Sequence, residues 1–151
     1  MRTFTSAAEL QAAEGQELGT SDWLTITQEA VNQFADATGD HQWIHVDPEK
    51  AAKGPFGQTI AHGFMTLSLV PVLMHQIFSV EGIKLAINYG LNKVRFPSPV
   101  PVGSKVRATA TLQKVEDLGN GALQLTVATR FEVEGSDKPA CVAESILRYM
   151  F

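Results

Sequence analysis

Asp40 and His45 stand five positions apart in the segment Gly39-Asp40-His41-Gln42-Trp43-Ile44-His45. With ordinary pKa values of about 3.9 and about 6.5, an aspartate is ionised near neutrality while a histidine exchanges its proton there. Two such groups aimed at one water can hold it, take a proton from it and return one, which is general acid–base chemistry. The spacing alone also fits a plainer reading, a polar turn after a helix with a packed or surface histidine. What separates the two readings is whether neighbouring elements hold both side chains at one point.

The segment before Asp40 reads as a helix. Thr27 suits an N-cap, whose hydroxyl accepts from the free amides of the first turn, and Glu29 favours the positive helix end. Val31, Phe34, Ala35 and Thr38 follow at i, i+3, i+4 and i+7, one face of a helix. Gly39 ends it in the left-handed C-cap conformation, so Asp40 starts a loop against a fixed helix end. Asp47-Pro48-Glu49-Lys50-Ala51-Ala52 then predicts a short second helix, with Asp47 as cap and Pro48 where a missing N–H costs nothing. The tight loop Gly54-Pro55-Phe56-Gly57 leads to Ile60-Ala61-His62-Gly63 and a helix over 64–78 that is apolar nearly all round. Such a helix has to be covered on most sides. Its first turn, at Gly63, would bring unpaired amides and a positive dipole end beside His62.

Around these elements the chain predicts a short helix over 6–14 and a first strand over 15–26 carrying Leu18, Trp23, Leu24 and Ile26. From Ile83 onward the texture is β, with strands over 84–96, 104–118, 122–134 and 140–150. The proline-rich segment from Pro97 to Gly103, Gly119-Asn120-Gly121 and Gly135-Ser136-Asp137 provide the turns. Long antiparallel strands after one enveloped helix predict an α+β fold, a curved sheet wrapped around a long central helix. With 151 residues, 44% of them hydrophobic, the chain reads as one domain over 1–151.

Composition removes several function classes. The formal charge is −4 and the basic residues are scattered, which gives no electrostatic stripe for nucleic acid. A lone cysteine, Cys141, excludes an internal disulfide and a cysteine-based zinc site. The start of the chain has no apolar core of the signal-peptide kind, and the reading is cytoplasmic. The apolar stretch over 64–78 is about 15 residues, short of the ~20 that span a bilayer, and holds Pro71, His75 and Gln76. Pro71 removes a backbone donor, frees the carbonyl of Leu67 and is placed to kink the helix.

The chain resembles the MaoC-like dehydratases, within them the NodN-like branch of R-specific enoyl thioester hydratases, and is similar to mycobacterial 3-hydroxyacyl thioester dehydratases of that branch. The resemblance covers nearly the whole chain. It rests on the run from Ala37 to Pro48, on Ile60-Ala61-His62-Gly63-Phe64-Met65-Thr66, and on Asn92-Lys93-Val94-Arg95-Phe96-Pro97. It implies a hotdog fold and the reversible hydration of trans-2-enoyl thioesters to (R)-3-hydroxyacyl thioesters in fatty acid metabolism. By resemblance, Asp40 and His45 hold and activate the water, and the Gly63 N–H holds the thioester carbonyl, a donor of a kind that contributes about 3 kcal/mol in acyl-transfer enzymes. Gly63 also reads simply as a packing glycine. Gln42, Trp43 and His62 are expected beside it near the substrate. Many family members carry Asn-Pro where this chain has Gln42-Trp43, and a serine where ungapped alignment puts Pro71, so the wall of the acyl site is expected to differ.

The implied substrate is a coenzyme A or acyl carrier protein thioester, with no cofactor. Lys93 and Arg95 share one strand face, where they either meet carrier phosphates or face solvent. His41 and His62 flank the active pair, but zinc requires three or four converging ligands, and no metal is expected. His75 reads as packed or interfacial. A lone hotdog unit leaves a strand edge open, which predicts a homodimer. Two rival functions remain at this stage, a hotdog thioesterase and a non-catalytic acyl-binding module.

Overall fold

The computed structural model describes residues 1–151. Short elements fill the first half: β1 (Arg2–Phe4), α1 (Ala7–Ala12), β2 (Glu17–Thr20), β3 (Leu24–Thr25), α2 (Gln28–Thr38), α3 (Trp43–Val46) and α4 (Pro48–Ala52). α5 (Gly63–Ser68), α6 (Val70–Ile77) and β4 (Phe78–Val80) lead into four long strands, β5 (Leu85–Arg95), β6 (Lys105–Gly119), β7 (Ala122–Val133) and β8 (Cys141–Met150). The main sheet is antiparallel in the order β2-β6-β7-β8-β5, and β3 also pairs with β6.

Alternation along the strands builds the core. On β6 the buried positions are Val106, Ala108, Ala110 and Leu112, and on β7 they include Leu123, Leu125, Val127 and Phe131. Leu73, Met74 and Ile77 of α6 join the same apolar cluster. Alanine at 108 and 110 keeps the sheet face low where α6 lies against β6, and a Cβ at Gly19 would sit 3.4 Å from Ile77. The helix is thus seated close to the sheet by small residues.

Three expectations change. The apolar stretch over 64–78 is two helices joined at Leu69, because Pro71 has no N–H to give the carbonyl of Leu67. The chain tightens there, with the Leu69 N–H donating to Thr66 O at 3.2 Å, and restarts with Leu73 N–H to Leu69 O at 3.1 Å. The strand over 15–26 breaks at Ser21-Asp22-Trp23. Ser21 keeps it docked, donating its N–H to Ala108 O and accepting the Ala108 N–H on its Oγ, while the Asp22 N–H turns to Gln76 Oε1. β1 was not expected; it runs parallel to β4, with Phe4 packed edge-on against Phe78.

The outermost strand, β5, is exposed along its length except at Val94, although it carries Leu85, Ile87, Tyr89 and Leu91. Phe131 is the largest fully buried side chain. Phe131→Ala is expected to cost about 3–5 kcal/mol, read as a lowered urea midpoint at fixed protein concentration.

Candidate active site

Asp40 is presented by the end of α2. Thr27 Oγ1 accepts the Ala30 N–H at 3.1 Å, and Gly39 closes the helix with φ 82°, its N–H on Ala35 O at 2.8 Å. That left-handed turn releases the chain, and Oδ1 of Asp40 accepts the Gln42 N–H at 3.3 Å. The carboxylate remains 56% exposed.

His45 is not in an open loop, as expected, but on the one-turn helix α3, and it is buried. Its Nδ1 lies 2.7 Å from Ile60 O. A carbonyl only accepts, so Nδ1 carries the proton and Nε2 of the neutral ring is left as an acceptor. Ile60 is held in turn by its N–H on Ile44 O at 3.0 Å and by its bridge to Pro101. Gln28 completes the support: its Nε2 donates to His45 O at 2.7 Å and its Oε1 accepts from Thr59 Oγ1 at 2.6 Å. Burial is the main cause that pulls the His45 pKa below the ordinary value; the Ile60 bond opposes it, His62 adds to it and Asp40 opposes it.

His62 lies behind the pair, 3% exposed, its ring stacked on that of His45 with centroids 3.8 Å apart and planes 25° from parallel. Its Nε2 donates to the backbone carbonyl of Asp40 at 2.9 Å, and Phe34 of α2 packs on it with centroids 4.9 Å apart. One ligand-type atom from each of Asp40, His45 and His62 lies within 4.8 Å of the other two. Three groups of metal-ligand type therefore gather here, although zinc would draw its ligand atoms closer together than this. Stacking works against a shared ion, because each imidazole lone pair lies in its ring plane and one ion cannot lie in two nearly parallel planes.

A cleft of about 320 Å³ opens beside His45 and is lined by Ile60, Ala61, Gly63, Thr66 and Phe96 among others. Gly63 is the first residue of α5, where a helix leaves its amide without an internal acceptor. Since α5 is only six residues long, a directed N–H matters here more than a long helix dipole. A Cβ on Gly63 would come within 3.0 Å of the Phe96 ring, so close packing also calls for glycine.

Asp40 and the remaining expected site residues are not among those lining this cleft. Gln42 is exposed. Trp43 packs on Gly54, where a Cβ would come within 2.8 Å of its ring, with the Lys50 ammonium 5.0 Å from the ring centroid, and it is not among the residues lining the cleft. His62 does not line the cleft either. Lys93 and Arg95 lie on the sheet face opposite the core-packed Val94. Lys93 is paired in register with Glu144, and the Arg95 guanidinium folds onto Val94 O at 2.7 Å. His41 binds Asp36 at 2.8 Å, which raises its pKa, and His75 is exposed on a groove with Pro71 and Ile87. Sequence reasoning missed Gln28, Ile60, Thr66 and Phe96. Gln28 lies outside every motif, and although Ile60, Thr66 and Phe96 fall within the runs that carry the resemblance, their roles emerge only once α5 and the end of β5 meet.

The sheet packed around α5 and α6, with His45 on the wall of a cleft and Asp40 close to it, is the arrangement of the hotdog fold. Residues 9–134 match the family described as MaoC like domain, and the chain belongs to that family. It is 74% identical over 150 residues, 99% of each chain, to the 3-hydroxyacyl-thioester dehydratase Z of Mycobacterium tuberculosis. It is 43% identical to nodulation protein N of Rhizobium leguminosarum bv. viciae, over 97% of this chain and 92% of that one. Among solved structures, the (R)-hydratase from A. caviae involved in PHA biosynthesis superposes with a TM-score of 0.70 at 28% identity, covering 89% of this chain and 94% of that one.

Because His45 is buried, its imidazole should bind a proton only below the ordinary pH of 6.5. An NMR titration of the ring resonances checks this, and a midpoint at or above that value would contradict the burial argument.

Proposed function

We propose that the chain catalyses the reversible addition of water to trans-2-enoyl thioesters, forming (R)-3-hydroxyacyl thioesters. The observation that carries the reading is the gathering of Asp40 with the buried His45, whose ring is held with Nε2 unprotonated, beside the cleft that Gly63 borders. The R configuration is supported by the structural likeness to the (R)-hydratase.

In this reading a water sits between the Asp40 carboxylate and His45 Nε2. Asp40 acts as general base and takes one proton as the water oxygen bonds to C3 of the enoyl chain. His45 accepts the second O–H, which orients the water and gives the proton a route through the pair. Electrons move onto the thioester oxygen, where the Gly63 N–H stabilises the enolate. Collapse of the enolate takes a proton from the pair at C2, so the pair ends as it began. Dehydration follows the same path in reverse. No step requires a metal or cofactor.

The bared β5 supports a homodimer. It ends the sheet order and leaves a long strand edge unpaired beside exposed Leu85, Ile87 and Leu91, which a second copy would cover. Lys93 and Arg95 are proposed as contacts for the phosphates of coenzyme A or an acyl carrier protein, reached by rearrangement of two exposed side chains. Gln42 is proposed to approach the substrate from the rim. The proposed location is the cytoplasm; no helix is long and apolar enough to cross a membrane.

Mixing the protein with crotonyl-coenzyme A should remove the enone absorbance without releasing thiol, whereas thiol release would identify a thioesterase. Asp40→Asn and His45→Gln should each lower kcat by about 10²–10⁴-fold, the range for a lost general acid or base. Full activity in both variants would remove the pair from the mechanism. Sedimentation should give the mass of two 16.4 kDa chains, and Leu91→Lys should shift the population toward one.

A further inference from the structure

We propose that His62 is a positioning residue for Asp40: its Nε2–H holds the Asp40 peptide so that the carboxylate and His45 face the same water. The inference rests on the roles proposed above for Asp40 and His45, and gives His62 a task other than touching substrate.

The ties on Asp40 are unequal. Its N–H lies 3.5 Å from Thr38 Oγ1, and its Oδ1 receives the Gln42 N–H at 3.3 Å. Both are long for hydrogen bonds and both are local to a turn. The bond from His62 Nε2 to Asp40 O is 2.9 Å and crosses 22 positions of chain, joining the end of α2 to the start of α5. It is the shortest tie on the residue. The carboxylate makes no comparable contact with His62, with 4.0 Å separating Nε2 from Oδ2. The imidazole therefore acts on the peptide and leaves the carboxylate free.

The other nitrogen of His62 supports the same reading. Nδ1 is buried and has no hydrogen-bond partner. An unpaired buried polar atom costs free energy that an apolar side chain of this size would not. If the residue only filled space between Phe34 and His45, an apolar side chain would fill it better. The one polar service the ring performs is the bond to Asp40. Its face also limits His45, whose ring it covers at 3.8 Å while Ile60 O holds the edge. Asp40 and His45 come from opposite ends of the short segment after α2, and His62 touches both, the peptide of one and the ring of the other.

The test uses His62→Gln and His62→Leu in the full chain, with crotonyl-coenzyme A as substrate and thermal melts to confirm folding. Glutamine can place an amide N–H near the position of imidazole Nε2, while leucine fills the space without a donor. His62→Leu should lower kcat at least tenfold with KM within about twofold, since it misplaces a group used in the chemical step. His62→Gln should recover most of that loss although it lacks the ring. Equal losses in the two variants, an effect confined to KM, or an unimpaired His62→Leu would overturn the proposal. Wild-type protein that fails to hydrate the substrate would overturn the proposed function itself, which sets that failure apart from a failure of the His62 variants in an active enzyme.

Discussion

The hydrogen bond from His45 Nδ1 to Ile60 O, 2.7 Å long, is the constraint on which the site depends. It fixes the tautomer, so that the neutral ring turns an acceptor nitrogen away from the carbonyl. It also fastens α3 to the segment that enters α5, bringing the Asp40 turn and the Gly63 amide into one neighbourhood. The Ile60 N–H returns to Ile44 O, and the Ala61 N–H goes to Val100 O, so this carbonyl is braced on both sides by backbone. Burial supplies the rest: a ring shielded from water resists protonation, which keeps Nε2 able to accept.

Precision at a few polar atoms relies on a stiff apolar frame. Alternating residues of β6 and β7 form a face against which α6 lies closely, because alanines stand at 108 and 110. Pro71 divides the apolar segment, so α5 and α6 need not share an axis. The break leaves α5 short and lets its first residue, Gly63, border the cleft while α6 packs under the sheet. Phe96 then rests where a side chain on residue 63 would be.

Much of this was legible in the chain itself. Thr27 and Gly39 bracket α2 as their capping chemistry requires, Asp47-Pro48 opens α4, and the long strands lie within a few residues of their predicted places. The caps were legible because their hydrogen bonds span four residues or fewer, and the strands because alternating apolar residues and the glycine turns between them are local patterns. The reading failed where distant partners decided the outcome. Ser21 keeps its N–H on Ala108 O but accepts the Ala108 N–H on its side chain, which interrupts the strand, and β1 exists only because Phe78 to Val80 offer it a partner. Nor could local pattern foresee that Trp43 packs on Gly54, a contact that depends on how the loop after α4 folds back.

The sequence by itself determined the family motif, the candidate pair Asp40 and His45 and the α+β class, since each follows from residue type and near-neighbour spacing, and it marked Pro71 as the point of weakness in the apolar helix. Tertiary structure alone decided what those residues became. The tautomer of His45 depends on a carbonyl 15 positions away, the bond from His62 to Asp40 crosses 22, and the stacking of two imidazoles depends on both. Such contacts have no local signature, because their energies depend on directions and distances that exist only once the chain has closed upon itself.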